Sequence, residues 1–411
     1  MHVDLNSCFA MIEQQARPQL RGRPVGVAAN VSPGGCVIAP SYEAKRRGVK
    51  VCYRVRDALE LCPDLVILPS DPDKYFHVHT LFVRIFRDYS PSVTPLSIDE
   101  AVIDFTGTPA IRRASLVEIG CEIKRRMKAE IGEWLTCNIG IGPNRFLAKT
   151  ASGLHKPDGL DVITSENARA VYAQLALTDL CGINVRYEAR LNAWGIFTPL
   201  DFLAAPLWQL HKQVFGSVVS YYWYLRLRGY EIDTVVFARK SYGQAYALHR
   251  FTADSRELGH LLMKLCEKMG RRLRRSGHYA QGVHVFCAFR DHGAWHQGRT
   301  FPGRILYATQ DLYEAAAELL ELRPTRLKVT HLAVSCYGLV QRELMSTPLF
   351  ATAEAQRIRL ADHLDAINDR YGEYVIHPAA MLGLEHEIIK RVPFHATRDT
   401  LSEIYTAPVA E

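Results

Sequence analysis

The sequence predicts an α+β chain of several domains, and three observations carry that reading. At 411 residues the chain is too long for one ordinary core and suits several modest ones. Up to about residue 156, short apolar runs bounded by Gly and Pro alternate with segments of helical period, and beyond about residue 240 a second mixed stretch follows. The segment between them is helical in pattern throughout. In each mixed part this order places helices on one face of a mainly antiparallel sheet.

Along the chain, His2-Val3 begins a short strand that ends at Asp4, and Ser7 to Gln15 has helical character that stops before Pro18. With only Met1 before His2 this strand is unusually short: either the natural start lies upstream or the strand is clipped. Pro24 to Ala29, a Pro33-Gly34-Gly35 turn and Cys36 to Ala39 predict a hairpin of strands, followed by helices over Tyr42 to Arg47 and Arg54 to Leu61. Then come a helix from Asp73 to Tyr89, a hairpin from Val93 to Phe105, a helix from Ala114 to Ile131, a strand from Thr136 to Ile141 and a helix from Asn144 to Gly153. From Leu160 to Tyr230 only helices are predicted, and Ile232 to Arg239 is a linker. The helix after Asp254 has capping-box spacing with Glu257 and an apolar stripe through Leu258, Leu261, Leu262, Leu265, Met269 and Leu273. Strands over Gln281 to Phe289 and Leu327 to Tyr337 flank a helix near Leu312 to Leu320, so this part reads strand, helix, strand, strand, helix, strand. A further helix is predicted from Glu354 to Asn368.

Charge is unevenly placed. The net charge is +7 with a pI near 8.8, and from Arg239 to Lys328 there are 16 Lys and Arg against 8 Asp and Glu, so that segment carries the whole positive balance. A polyanionic partner suits it. The ten cysteines form no C-x-x-C pair and no regular spacing, so neither a zinc ribbon nor a disulfide framework is indicated and they read as reduced, mostly buried thiols. No signal peptide precedes His2 and no apolar run of about 18 residues suggests a membrane span, so a soluble cytoplasmic protein is expected, and a monomer is expected as well.

The chemistry concentrates in acids. Leu96-Ser97-Ile98-Asp99-Glu100-Ala101-Val102-Ile103-Asp104 sets adjacent carboxylates between two apolar runs, and Asp4 ends the first strand. An oxygen-only cluster without His or Cys suits Mg²⁺, which is held through a few carboxylates plus substrate phosphates, and so points to phosphoryl transfer. Ser97-Ile98-Asp99-Glu100 within a hairpin, Asp4 in a short N-terminal strand and Tyr42-Glu43-Ala44 together resemble the Y-family DNA polymerases, the DinB and UmuC translesion group. The resemblance runs from the N-terminus to about Val340 with the motifs in family order.

That resemblance implies a right-hand polymerase: a palm at 1–10 and 70–158, small fingers at 11–69, a thumb with a helix-hairpin-helix at 159–231, a linker at 232–239, a little finger at 240–340 and a tail with a helix at 341–411. It implies template-directed addition of deoxynucleotides to a primer 3′-end with two Mg²⁺, for which Mn²⁺ substitutes, at low fidelity and without proofreading. Asp4 and Asp99 would bridge the metals, Glu100 would complete one and the Leu5 carbonyl the other. Tyr42, Lys45 and Lys156 would face the triphosphate, with Lys45 where the family has Arg, supplying charge without the bidentate fork. Phe9 would be the steric gate against a ribose 2′-hydroxyl. Asn6 stands where DinB-type sequences have a second Asp, with no loss of metal binding expected, and Asp104 is expected to be a strand-end residue.

For DNA, the resemblance implies contacts from Gly182 and Asn184 in the thumb hairpin, where Asn184 replaces a second glycine and tolerates positive φ better than most residues. A plain helix-helix turn is the other reading of that segment. Arg239 and Lys240 and the run Arg271, Arg272, Arg274 and Arg275 are expected on phosphates; a helix dipole would explain one or two of these cations but not four in five residues. Ser346-Thr347-Pro348-Leu349-Phe350 is either a sliding-clamp peptide, of which only Leu349-Phe350 fit the pattern, or an ordinary hydrophobic anchor. A non-catalytic accessory protein would not keep all three acids, and a nucleotidyl cyclase would lack the helix-hairpin-helix and the basic last domain.

Overall fold

The computed structural model describes residues 1–234, 238–290, 292–344 and 353–384. They belong to two compact units, Met1–Val236 and Phe237–Lys390. The first unit runs β1 (His2–Leu5), α1 (Cys8–Ala16), β2 (Val25–Ala28), β3 (Val37–Pro40), α2 (Tyr42–Arg46), α3 (Val55–Leu61), β4 (Val66–Pro69) and α4 (Pro72–Arg87). It continues through β5 (Val93–Pro95), β6 (Glu100–Ile103), α5 (Leu116–Glu130), β7 (Cys137–Ile141), α6 (Arg145–Leu154) and β8 (Leu160–Val162).

The first unit's main sheet has the order β5-β6-β1-β7-β8, so the N-terminal strand is central although it is only four residues long. β1 is antiparallel to both neighbours, with Asp4 opposite Glu100 on one side and Asn138 on the other, and His2 opposite Val102 and Gly140. Strand residues alternate between faces. Val3 and Leu5 therefore enter the core with residues of α1, α4 and α5, while His2 and Asp4 point to the other face.

That other face is covered too, where the sequence placed helices on one face only. α6 lies against it so closely that a Cβ on Gly140 would meet the Ala148 carbonyl oxygen at 1.9 Å, and one on Gly142 the Ala148 nitrogen at 2.7 Å. On the opposite side a Cβ added to Gly120 of α5 would contact Ile139, the neighbour of Gly140. All five residues of β7 are accordingly buried, as expected of a strand covered on both sides. Asn144 caps α6 through the Leu147 amide at 2.7 Å and donates to the Arg226 and Tyr230 carbonyls, each at 2.9 Å.

A smaller sheet of order β3-β2-β4 contains the expected hairpin, β2 with β3, and a parallel partner, β4, which is too short and too exposed to show alternation. β8 also departs from the all-helical expectation: it pairs in parallel with β7. Beyond it, α7 (Ala168–Tyr172), α8 (Val185–Asn192), α9 (Pro199–Ala204), α10 (Leu207–Gln209), a π-helical turn (Leu210–Phe215) and α11 (Val219–Arg226) form, with Phe146, Leu147 and Ala151 of α6, a second core around Phe202, Leu210 and Trp223.

The second unit comprises β9 (Ser241–Thr252), α12 (Ser255–Arg275), β10 (His278–Tyr279), β11 (Gly282–Phe289), β12 (Ala294–Thr300), α13 (Thr309–Leu320), β13 (Val329–Tyr337), β14 (Val340–Gln341) and α14 (Ala353–Tyr371). Its four-stranded antiparallel sheet has the order β12-β11-β13-β9, and the apolar stripe of α12 is buried with α13 against one face. Only one arm of the predicted capping box forms. Asp254 accepts the Glu257 amide at 2.8 Å, while the Glu257 carboxylate is taken by Arg250.

Candidate active site

Sheet register brings the acids together. His2, Asp4 and Glu100 stand side by side on the α6 face of β1 and β6, with one potential ligand atom from each lying within 4.8 Å of the others. Asp99 occupies the bend that leads into β6. The Leu5 amide donates to the Asp99 carbonyl at 2.8 Å, which ties the bend to β1, and Ser97 Oγ donates to the Asp99 carboxylate. This bend resolves how adjacent residues serve one site, since a regular strand would have sent Asp99 and Glu100 to opposite faces.

Asp99 lines a pocket of about 200 Å³ with Asp4, Leu5, Phe9, Tyr42, Lys45 and Lys156, so every residue expected at the nucleotide borders it. Phe9 is backed by Tyr75, the rings stacked at 4.4 Å with 14° between planes, and the buried Tyr75 hydroxyl donates to Glu13 at 3.0 Å. Lys45 lies over the Tyr42 ring at 4.7 Å. Lys156 reaches Asp4 Oδ2 at 3.0 Å from the loop after α6. Asn6 holds that loop: its Oδ1 accepts the Asp158 amide and the Thr136 hydroxyl, each at 2.9 Å, while its Nδ2 donates to Asn138 at 2.7 Å. Asn6 is thus a buried structural hub. Asp104 accepts the Thr106 amide at 2.8 Å just past β6, the strand-end role expected.

The electrostatics follow from crowding. Burial raises the Asp99 carboxyl, and the charges of Asp4 and Glu100 add to that rise against the Ser97 hydrogen bond. Burial opposes Glu100 as well, yet the His2 hydrogen bond and the Lys149 ammonium outweigh it and bring that carboxyl down to about 2. Burial and then Asp4 push the Tyr42 phenol up to about 12, and burial followed by the Lys156 charge lowers Lys45. Asp4 and Asp99 border the pocket while Glu100 stands beside Asp4 on the neighbouring strand, and carboxylates grouped in this way suit a divalent cation held by oxygen. The donor set therefore fits Mg²⁺ or Mn²⁺.

Neither His2 nor Lys149 was expected at the site from the sequence. His2 Nε2 lies 3.2 Å and Lys149 Nζ 2.5 Å from the same oxygen, Glu100 Oε2. The spacing of His2 and Asp4, two apart in a strand, would have placed them on one face. Nothing in the sequence connects Lys149 to Glu100 without the sheet register and the seat of α6.

The residues expected on DNA fare differently. Gly182 has the positive φ its turn requires, +98°. Asn184, however, has φ −104° and acts as the N-cap of α8, its Oδ1 accepting the Arg186 and Tyr187 amides at 3.0 Å each. Its side chain thus satisfies two amides expected to face phosphate. In the second unit Arg271 and Arg274 are buried, not on the surface. Arg274 makes a two-pronged contact with Asp365 at 2.6 and 2.9 Å, Arg271 reaches Asp369 at 2.7 Å, and Arg275 pairs with Asp369 as well. The aspartates belong to α14, whose pattern had suggested only a tail helix. Arg272 and Arg239 instead flank the Tyr242 ring, at 5.7 and 4.7 Å, and Lys240 beside them is exposed. Ser346 to Phe350 lies outside the described residues.

Known proteins resemble this chain in sequence and in fold. Residues 3–153 match the impB/mucB/samB family and residues 239–349 the C-terminal domain of that family. The chain is 34% identical over 386 residues to DNA polymerase IV of Pelotomaculum thermopropionicum, covering 92% of this chain and 94% of that protein. It is 35% identical over 390 residues to DNA polymerase IV of Moorella thermoacetica, covering 92% and 95%. Among solved structures, the Y-family DNA polymerase chimera Dbh-Dpo4(243-245)-Dbh superposes with a TM-score of 0.69 at 25% identity, over 83% of this chain and 98% of the chimera. The chain belongs to the impB/mucB/samB family and is a DNA-directed DNA polymerase of the Y family, DinB-like in kind.

Proposed function

We propose that the protein extends a primer 3′-end on a template by metal-dependent phosphoryl transfer at Asp4, Asp99 and Glu100. The observation that carries this is the single pocket in which Asp4, Leu5 and Asp99 face Phe9, Tyr42, Lys45 and Lys156. The primer hydroxyl attacks the α-phosphorus of a deoxynucleoside triphosphate, and the bond to the β-phosphate oxygen breaks to release pyrophosphate. Two divalent cations held about 3.5–4 Å apart lower the barrier to such a displacement by stabilising the attacking and leaving oxygens. Asp4 and Asp99 would bridge them, Glu100 would complete one and the Leu5 carbonyl the other. Mg²⁺ is the expected ion, with Mn²⁺ as substitute.

The chain's own residues orient the triphosphate. Lys45 and Lys156 offer point charges to its phosphates and the Tyr42 hydroxyl a donor. Phe9, immobilised on Tyr75, faces the sugar. Replacing Phe9 by Ala is expected to let ribonucleotides in with little loss of deoxynucleotide use; unchanged sugar discrimination in single-nucleotide insertion would place the gate elsewhere.

On this reading the five-stranded sheet with α4, α5 and α6 is the palm, β2 to β4 with α2 and α3 the fingers, the helical segment up to 231 the thumb and the second unit the little finger. Small fingers support a roomy site, hence lesion bypass at low fidelity without proofreading. Primer-template DNA would be gripped through Gly182 in the thumb and through Arg239, Lys240 and Arg272 around Tyr242. Arg271, Arg274 and Arg275 are committed to α14.

A further inference from the structure

We propose that His2 and Lys149 are positioning residues for the polymerase reaction: they grip one oxygen of Glu100 from two sides and so fix the carboxylate that completes the metal site. The inference rests on the two-metal reading above. Both donors end on Oε2, His2 Nε2 at 3.2 Å and Lys149 Nζ at 2.5 Å, and Oε1 has no hydrogen-bond partner among the described residues.

The two donors come from different elements. His2 is on β1, next but one to Asp4, and its ring is fully buried. Its Nδ1 has no hydrogen-bond partner among the described residues, so the ring's polar contact is directed at Glu100. A buried imidazole with one nitrogen unsatisfied is costly to keep for packing alone. Lys149 is on α6, and it reaches Glu100 because the helix sits over Gly140 and Gly142 at a distance that leaves no room for a Cβ.

Glu100 begins β6 and is partly exposed, so without these contacts its side chain would sample several rotamers. Two donors on one oxygen select one of them before any cation arrives. Partners of this kind, one step removed from the metal, are typically worth about 10–100-fold in metal affinity or activity. A group that merely filled space behind the sheet would affect melting, not metal demand.

The test is single-nucleotide primer extension by the full-length protein across a Mg²⁺ titration, comparing wild type with His2→Leu, His2→Gln, Lys149→Met and Asp99→Asn. For His2→Leu and Lys149→Met the expected result is a rise in half-saturating Mg²⁺ and a fall in kcat, each of about 10-fold or more. The KM for nucleotide and the affinity for primer-template should stay as in wild type, and His2→Gln should recover most of the loss because its amide still donates. Wild-type Mg²⁺ demand and kcat in Lys149→Met would overturn the proposal, as would equal losses in His2→Gln and His2→Leu. If His2→Leu melts below the assay temperature, Lys149→Met and His2→Gln decide. An inactive Asp99→Asn beside a normal Lys149→Met defeats the positioning role alone, whereas an active Asp99→Asn defeats the two-metal reading beneath it.

Discussion

Two clusters of charge in this molecule look alike in sequence and behave in opposite ways. In the first unit, Asp4 and Asp99 border an open pocket, Glu100 stands beside Asp4 on the neighbouring strand, and burial raises the Asp99 carboxyl. In the second unit, Arg271, Arg274 and Arg275 converge at the end of α12 but meet Asp365 and Asp369 of α14, and two of them are sealed from water. Asp4 and Glu100 each meet one lysine, Lys156 and Lys149, but Asp99 has no ion pair among the described residues and borders the pocket, whereas the arginines are neutralised within the chain. A charged run in a sequence therefore says that a counter-charge exists, not whose it is.

The contrast predicts mirror-image mutants. Removing one acid should cost function and spare the fold: Asp99→Asn is expected to lose more than about 10²-fold in extension, since a direct ligand should outweigh its supports. Its melting temperature should rise, because the amide keeps the Ser97 hydrogen bond and carries no charge among like charges.

Removing one arginine should cost the fold and spare DNA. Arg274→Met leaves Asp365 with only the longer Arg271 contact at 3.8 Å and should destabilise the second unit by about 3 kcal/mol in urea unfolding. The salt dependence of primer-template binding should not change. A smaller salt slope in this variant would return Arg274 to the phosphates and break the comparison.

A neutral buried group sharpens it further. His79 on α4 lies behind the β5–β6 hairpin with Nδ1 3.0 Å from the Ile98 carbonyl, and burial takes its pKa down to about 4 despite that contact. The unfolded chain takes up this proton below about pH 6.5 and the folded one only near pH 4, so the stability tied to neutral His79 is intact above 6.5 and is lost as pH falls towards 4. The loss is on the order of 3 kcal/mol at most. It should be absent in His79→Gln when melting is followed from pH 7 to 4.5. The smallest effect belongs to an exposed surface cation: Lys240→Ala should weaken primer-template binding uniformly across sequences and reduce the salt slope by about 1.

Much of this was legible in the sequence because it is local. The helix at Ser255–Arg275, the hairpin carrying Asp99 and Glu100, and the spacing of Phe9 from Asp4 follow from periodicity, capping and motif order. Contacts set by register or by distant segments were not legible. β4 and β8 are too short to alternate, and the Lys149 contact needs α6 seated on Gly140. Asn184 was read as a backbone device because glycine is usual there, whereas its side chain does the capping. Arg271 and Arg274 looked like a DNA surface because their partners lie 98 and 91 residues away on a helix with only a weak pattern of its own.

The most direct test is extension of a labelled primer-template with all four deoxynucleotides and Mg²⁺, on an intact template and on one bearing an abasic site, by wild type and Asp99→Asn. Wild type should extend both, and Asp99→Asn should bind the same DNA with unchanged affinity and extend neither. Extension by Asp99→Asn at the wild-type rate, or tight binding without extension by wild type in either Mg²⁺ or Mn²⁺, would contradict the assignment of the carboxylates as the polymerase's metal site.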